Sequence, residues 1–313
     1  MDANQEKRGG WFCLADLRKL AALTGGAVAA AVTPHRWDPA VANILVRLYV
    51  VVASRTVGRV ATKMTAVLPP STTRQPRKLA FDYLRMRLED MWGRLRGMRR
   101  FGWRPEIELE GLERVHEARS RGRGVILWSM RFSSSTAIKQ AFHRAGLPLV
   151  HLSRQDHGAP SKTKLGVGVV APMFCRAENP YLAARVQIPL DGSLGYLREL
   201  CQRLRENACV SIFGEHEGMQ NGEVKILGAG WRFALGAPSL AWLENSVLLT
   251  VYPLRVGPYH YRVVVDKEIP VTRTIPRKQF AAQALEEYGR RLERLIVAHP
   301  ADWQGWLYYR FES

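Results

Sequence analysis

The run Val210-Ser211-Ile212-Phe213-Gly214-Glu215-His216-Glu217 is an apolar strand pattern that ends on a histidine between two carboxylates. Histidine titrates near neutrality, and a neighbouring carboxylate raises its pKa and can fix its tautomer. His216 is therefore a candidate general base, with Glu215 as its acid partner. Consecutive side chains of an extended segment point to opposite sides, which works against direct pairing of His216 with either neighbour. A second polar group follows another apolar strand: Arg131, then Ser133, Ser134 and Ser135, after Gly124–Ser129. A guanidinium at the mouth of a sheet would anchor a phosphate or carboxylate, or close a structural ion pair. Arg154, Lys162, Lys164, Arg176 and Arg232 would add a basic rim. No Gly-x-Ser-x-Gly elbow surrounds the three serines, so helix capping is the better reading of them than nucleophilic attack.

The elements that must position these groups begin at Glu106. Ile107–Gly111 alternates like a strand, Leu112–Arg121 reads as a helix, and Gly124–Ser129 is a short run like a strand of a buried parallel sheet. A helix from Ser135 to Ala145, stopped by Gly146, is followed by a strand over Leu147–Leu152. Strand, helix and strand recur at Val186–Leu190, Leu194–Arg205 and Ala208–Phe213. A helix at Gly236–Leu243, strands at Val247–Leu254 and Tyr261–Val265, and a long helix at Gln279–Val297 complete the pattern. This alternation argues for an α/β fold, a mixed sheet flanked by helices.

Upstream, residues 1–70 read as a helical region, broken near Thr33-Pro34 and ended by Leu68-Pro69-Pro70; residues 71–313 form the α/β domain. Residues 71–104 are strongly basic. Arg74, Arg77, Lys78, Arg85, Arg87, Arg94, Arg96, Arg99, Arg100 and Arg104 face only Asp82, Glu89 and Asp90, and apolar residues recur at helical spacing. A basic amphipathic helix is a membrane-surface signature, or else a docked helix with a solvated basic face.

The 313-residue chain carries 46 Lys+Arg against 28 Asp+Glu, a net charge of +18. With 47% hydrophobic residues, wholesale disorder is excluded. The charge calls for an anionic partner: anionic membrane lipid, an acidic carrier or substrate, or nucleic acid, for which no motif or stacking platform is present. Cys13, Cys175, Cys201 and Cys209 have no framework spacing and read as reduced thiols of a cytoplasmic protein, and the scattered histidines offer no metal site. No clean signal peptide or spanning helix is visible. The uncharged run Leu20–Pro34 falls short of the about 20 apolar residues a span needs, and Arg47 interrupts Val41–Ala53. Apolar stretches edged by Trp, Tyr and Arg suit a helix lying in a membrane interface, or an ordinary packed helix pair.

From about Phe81 onward the chain resembles the lipid A lauroyl/myristoyl acyltransferases of the lysophospholipid and glycerolipid acyltransferase superfamily. The order of motifs carries the resemblance: Gly111-Leu112-Glu113, Gly122–Leu127, Val210–Glu217, Val224–Gly228 with Gly236–Ala241, and the ending His299-Pro300-Ala301-Asp302-Trp303-Gln304-Gly305-Trp306. It implies a lysophospholipid acyltransferase-like α/β fold with an N-terminal helical membrane-docking region. The implied activity is transfer of an acyl group from a thioester on acyl carrier protein or coenzyme A to a lipid or other hydroxyl or amine. The thioester is a co-substrate, so no cofactor is expected. The implied location is the cytoplasmic face of the inner membrane. Glu215 and Glu217 would have a structural or substrate-positioning role, and Gly228 and Arg232 would lie where acyl and acceptor sites meet. Trp303 and Trp306 read as core or membrane-interface anchors.

The family signature is a His, four residues and then an acid just after the first apolar strand. There the His takes the acceptor's proton and the acid orients it. Here that position reads Arg131…Thr136. Arginine stays protonated and cannot be the base. A literal His-x4-Asp occurs about twenty residues late, at His151…Asp156, in a polar loop after the next strand. A relocated base at His151 or His216 would keep the chain an enzyme. Loss of the base would leave a non-catalytic acyltransferase-fold protein that binds an acyl group, lipid or carrier as a partner or scaffold.

Overall fold

The structure, a computed structural model, describes residues 10–52, 54–73, 75–97 and 105–307. Arg74, Arg99, Arg100 and Arg104 of the basic stretch lie outside them. Four helices come first: α1 (Leu14–Val32), α2 (Asp38–Val52), α3 (Ser54–Val67) and α4 (Pro76–Gly97). The breaks between α1 and α2 and between α3 and α4 fall where Pro34 and Pro69-Pro70 remove backbone donors. The remainder is β1 (Glu106–Glu110), α5 (Leu112–Ser120), β2 (Val125–Ser129), α6 (Ser135–Arg144), β3 (Leu149–Arg154), α7 (Ala171–Glu178), β4 (Leu182–Ile188), α8 (Gly195–Arg205), β5 (Cys209–Phe213), β6 (Asn221–Ile226), β7 (Ala229–Ala234), α9 (Gly236–Glu244), β8 (Val247–Gly257), β9 (His260–Ile269) and α10 (Arg277–Ala298).

Seven strands form one sheet in the order β1-β9-β8-β2-β5-β3-β4, and β6-β7 pair separately. All pairings in the large sheet are parallel except β8 with β9, so the sheet is mixed. One apolar core lies between the sheet and α8, α9, α10 and the β6-β7 hairpin; a second lies between the sheet and α5 and α6. β2 has all five side chains buried, as expected of a central parallel strand covered on both faces.

Two features were not legible in the sequence. The stretch Gly166–Glu178 is helical, a π turn leading into α7. The β6-β7 hairpin turns on Leu227-Gly228 with φ of 53° and 77°, and a leucine in the left-handed region hides the usual Asn-Gly signal.

Helix α4 does not present a wholly solvated basic face. Arg87 donates to Gln304 Oε1 at 2.9 Å, Arg94 reaches Asp90 and Glu178, and Arg96 pairs with Asp38 at 2.5 Å. Glu89 on the same helix takes a bidentate Arg255 from β8 at 2.8 and 3.1 Å. The helix thereby bridges α1–α3 to the sheet, which is where its charges go. Asp16 on α1 is buried and accepts from Ser161 and Thr163 at 2.6 Å, holding the N-terminal layer to the loop after β3. Those hydroxyls hold the Asp16 pKa down against its burial.

Candidate functional site at the strand ends

The C-terminal ends of β2, β3 and β5 lie side by side and open into a cleft of about 2340 Å³. Leu190, Leu197 and Leu240 line one wall and Leu84, Leu88 and Met91 of α4 line another. Arg131, Glu217, Arg154, Asp156 and Lys162 supply charge at the strand ends, and His216 lies among them.

Arg131 sits in a turn held from several sides. Its backbone N–H donates to Glu215 Oε1 at 2.7 Å, its carbonyl accepts from the Gln304 N–H at 2.9 Å, and the Ser133 N–H donates to the Asp302 carbonyl at 2.7 Å. Trp303, fully buried, donates its indole N–H to Glu215 Oε2 at 2.9 Å. The C-terminal tryptophans are thus core residues, and Glu215 fastens β5, the β2–α6 turn and the chain's end together. Burial raises the Glu215 pKa against these donors. Gly214 makes the approach possible: a Cβ there would lie 2.4 Å from Trp128 Nε1 and 2.6 Å from the Tyr288 hydroxyl.

The guanidinium of Arg131 donates to His216 Nε2 at 2.5 Å. One arginine therefore engages both Glu215, through its backbone, and His216, through its side chain. Burial first, then the Arg131 and Arg154 cations, pull the His216 pKa to about 3. His216 is neutral, but the lone pair a base would use is taken by Arg131. The sign of its linkage follows: the unfolded histidine binds a proton below about pH 6.5 and the folded one does not. His216→Asn is accordingly expected to flatten the fall of stability between pH 6.5 and 3 by up to about 1.4 kcal/mol per pH unit. Urea titrations of both proteins across that range measure the difference.

Of the remaining sequence candidates, His151, Arg154, Asp156 and Glu217 border the same cleft, but they form no histidine–carboxylate pair among the described contacts. Asp156 is bound by Arg154 at 2.8 and 3.0 Å, and no His151–Asp156 pair forms among the described contacts. His151 points inward from β3, fully buried, and neither ring nitrogen has a hydrogen-bond partner. Desolvation drives its pKa well below the ordinary value. Thr136 is buried in the first turn of α6 with its hydroxyl unpartnered. Ser134 is the N-cap of that helix but makes no side-chain cap bond. Glu217 is exposed at the cleft. Gly228 is at the hairpin tip and Arg232, on β7, is opposite Glu223 of β6; neither is among the cleft-lining residues.

Sequence reasoning missed a charged cluster beside the cleft. Glu178, with no exposed surface, lies 2.7 Å from Lys139 Nζ, 2.8 Å from Arg185, 3.4 Å from Arg94 and 3.3 Å from His157 Nε2. The cations, Lys139 foremost, hold its pKa well below the ordinary value despite burial, and desolvation lowers that of Lys139 to about 8. The available signal was a lone lysine inside the apolar stretch Ala137-Ile138-Lys139-Gln140-Ala141-Phe142.

The model of the family described as bacterial lipid A biosynthesis acyltransferase matches residues 184–313. The resemblance to the lipid A acyltransferase-like family therefore holds from within β4 to residue 313, which includes Glu215, His216 and Trp303. Arg131 and Thr136 precede the matched span. No curated protein matches the chain.

Proposed function

We propose that this protein is an acyltransferase that works at a membrane surface, taking an acyl group from a thioester of acyl carrier protein or coenzyme A and passing it to a lipid or other hydroxyl or amine acceptor. The observation that carries this reading is the cleft itself, lined mainly by apolar side chains and holding Arg131 at the sheet's C-terminal edge. Sheets of this kind place their sites at that edge. The cleft suits an acyl chain, and Arg131 suits the anionic end of a donor or the charge that develops on the thioester oxygen. Both donor classes are acidic, in keeping with a net charge of +18.

Helix α2 supports a membrane setting, which this reading puts on the cytoplasmic face. Leu45 and Tyr49 line the cleft, while Ile44, Leu48 and Val51 beside them are exposed, Val51 by 78%. Trp11, Phe12, Val28, Val32 and Trp37 of the N-terminal layer are exposed as well. Among the described residues no helix is long and apolar enough to cross a membrane. Leu48→Glu with Val51→Glu is expected to weaken binding to anionic phospholipid vesicles at least about tenfold, since burying each side chain contributes about 1.5–3 kcal/mol. Vesicle co-sedimentation measures it, and unchanged binding would reject this face as the docking surface.

The test of the activity is thioester consumption and acyl-product formation with labelled acyl-carrier-protein and acyl-coenzyme A donors, in the presence of a total lipid extract. The occupied lone pair of His216 favours a second reading, a non-catalytic protein that binds acyl groups or carriers. Tight donor binding without turnover would establish it.

A further inference from the structure

The loop between β3 and α7 places one more histidine in the cleft. We propose that His157, oriented by the buried carboxylate of Glu178, is the general base of the acyl transfer, replacing the histidine that this chain lacks after β2. The assignment rests on the acyltransferase reading above.

Four observations support it. His151, His157 and His216 all border the cleft, but His151 has no exposed surface and His216 accepts from Arg131, whereas the His157 side chain is 25% exposed. Its buried nitrogen is Nε2, 3.3 Å from Glu178 Oε2, which leaves Nδ1 for the cleft. The contact is off-angle for a full hydrogen bond, and catalytic contacts of this kind commonly tighten only when substrate is bound. The carboxylate that would steer the ring is itself fixed and ionised, with Lys139, Arg185 and Arg94 around it. The loop is set by Gly158, whose φ of 77° and contact with Phe174, 2.5 Å from an added Cβ, admit only glycine.

Burial lowers the His157 pKa, so the imidazole is neutral and able to accept a proton at pH 7. In the step, Nδ1 takes the acceptor's O–H or N–H proton while the freed electron pair attacks the thioester carbonyl carbon. The tetrahedral adduct collapses by breaking the C–S bond, and the imidazolium returns its proton to the departing thiolate. Glu178 stays ionised throughout and holds the ring's tautomer.

The experiment compares the full-length wild type with His157→Ala and His157→Gln. Acyl-coenzyme A and acyl-carrier-protein thioesters are the donors, with a total lipid extract present and water as the default acceptor. Thioester consumption, donor affinity and thermal melting are read together. The expected result is a loss of kcat of at least about 100-fold in both variants. Donor affinity should stay within about twofold, and millimolar imidazole should restore part of the His157→Ala activity. Should His157→Ala fail to fold, His157→Gln, which keeps a polar group toward Glu178, decides. An active wild type with variants within about threefold of it overturns the assignment alone, as does lost activity accompanied by lost donor affinity and no imidazole rescue. A wild type that binds donor and turns none over overturns the acyltransferase reading and the base together.

Discussion

Glu178→Ala is expected to lower the free energy of unfolding by about 3–5 kcal/mol, the cost of leaving a buried ion without its partner. Lys139 has 1% of its side chain exposed and its ammonium lies 2.7 Å from Glu178; Arg185 and Arg94 also lose their shared carboxylate. Removing the carboxylate therefore leaves a fully buried ammonium beside two guanidinium groups. Adding Lys139→Met to Glu178→Ala is expected to recover part of the loss, because the uncompensated charge is then gone as well. Denaturant titration of the two variants checks both expectations, and a single variant within about 1 kcal/mol of wild type would show that water reaches the cluster. The pH signature has two arms. The folded pKa of Glu178 lies below its unfolded value, so its contribution is present above about pH 4.5 and is lost as pH falls through the folded value. Lys139 is also depressed, to about 8 from 10.5, so the unfolded chain holds the extra proton and this group's contribution to stability rises with pH between those values.

That cluster marks the boundary of what the sequence disclosed. The α/β alternation was readable because β2 and β5 are short apolar runs and the helices after them carry clear periodicity. Proline breaks at Pro34 and Pro69-Pro70 likewise marked the N-terminal helices. Arg131, Glu215 and His216 were readable as polar groups just past strand ends, though not that Arg131 would tie the other two together, since that contact depends on how β2 and β5 are paired. Glu178 meets its partners from α4, α6, β4 and the loop after β3, elements far apart in the chain. Nothing local distinguishes such a carboxylate from one on a solvated helix face. Arg94 shows the same limit from the other side. On α4 it looks like one of many surface arginines, yet it reaches Asp90, Glu178 and the Ser135 hydroxyl.

Arg131→Met is expected to weaken acyl-donor binding by about 10- to 100-fold while leaving the fold in place. A hydrogen bond to a charged group contributes about 1.5–3 kcal/mol, and each 1.4 kcal/mol is a factor of ten in affinity. The fold survives because what fastens the turn is backbone: the residue-131 N–H to Glu215 and the residue-131 carbonyl to Gln304 remain in the variant. The substitution also removes the donor on His216 Nε2 and one of the cations that depress its pKa. The His216 titration, followed by imidazole NMR signals, should therefore move up from about 3, though burial, its largest cause, keeps it below the ordinary value. The two readouts separate the possible roles of this arginine. Weaker donor binding with a raised His216 pKa means that the guanidinium holds the donor's anionic group. Unchanged binding with the same titration shift means that Arg131 only occupies His216. Arg131→His tests the position from the other direction. It places an imidazole where the resemblance would put one, but Thr136, buried and one helical turn on, offers no carboxylate to orient it, so no gain in turnover is expected. A gain would show that the turn after β2 needs only a base, and that the function of the missing acid is already supplied by a neighbour such as Glu215.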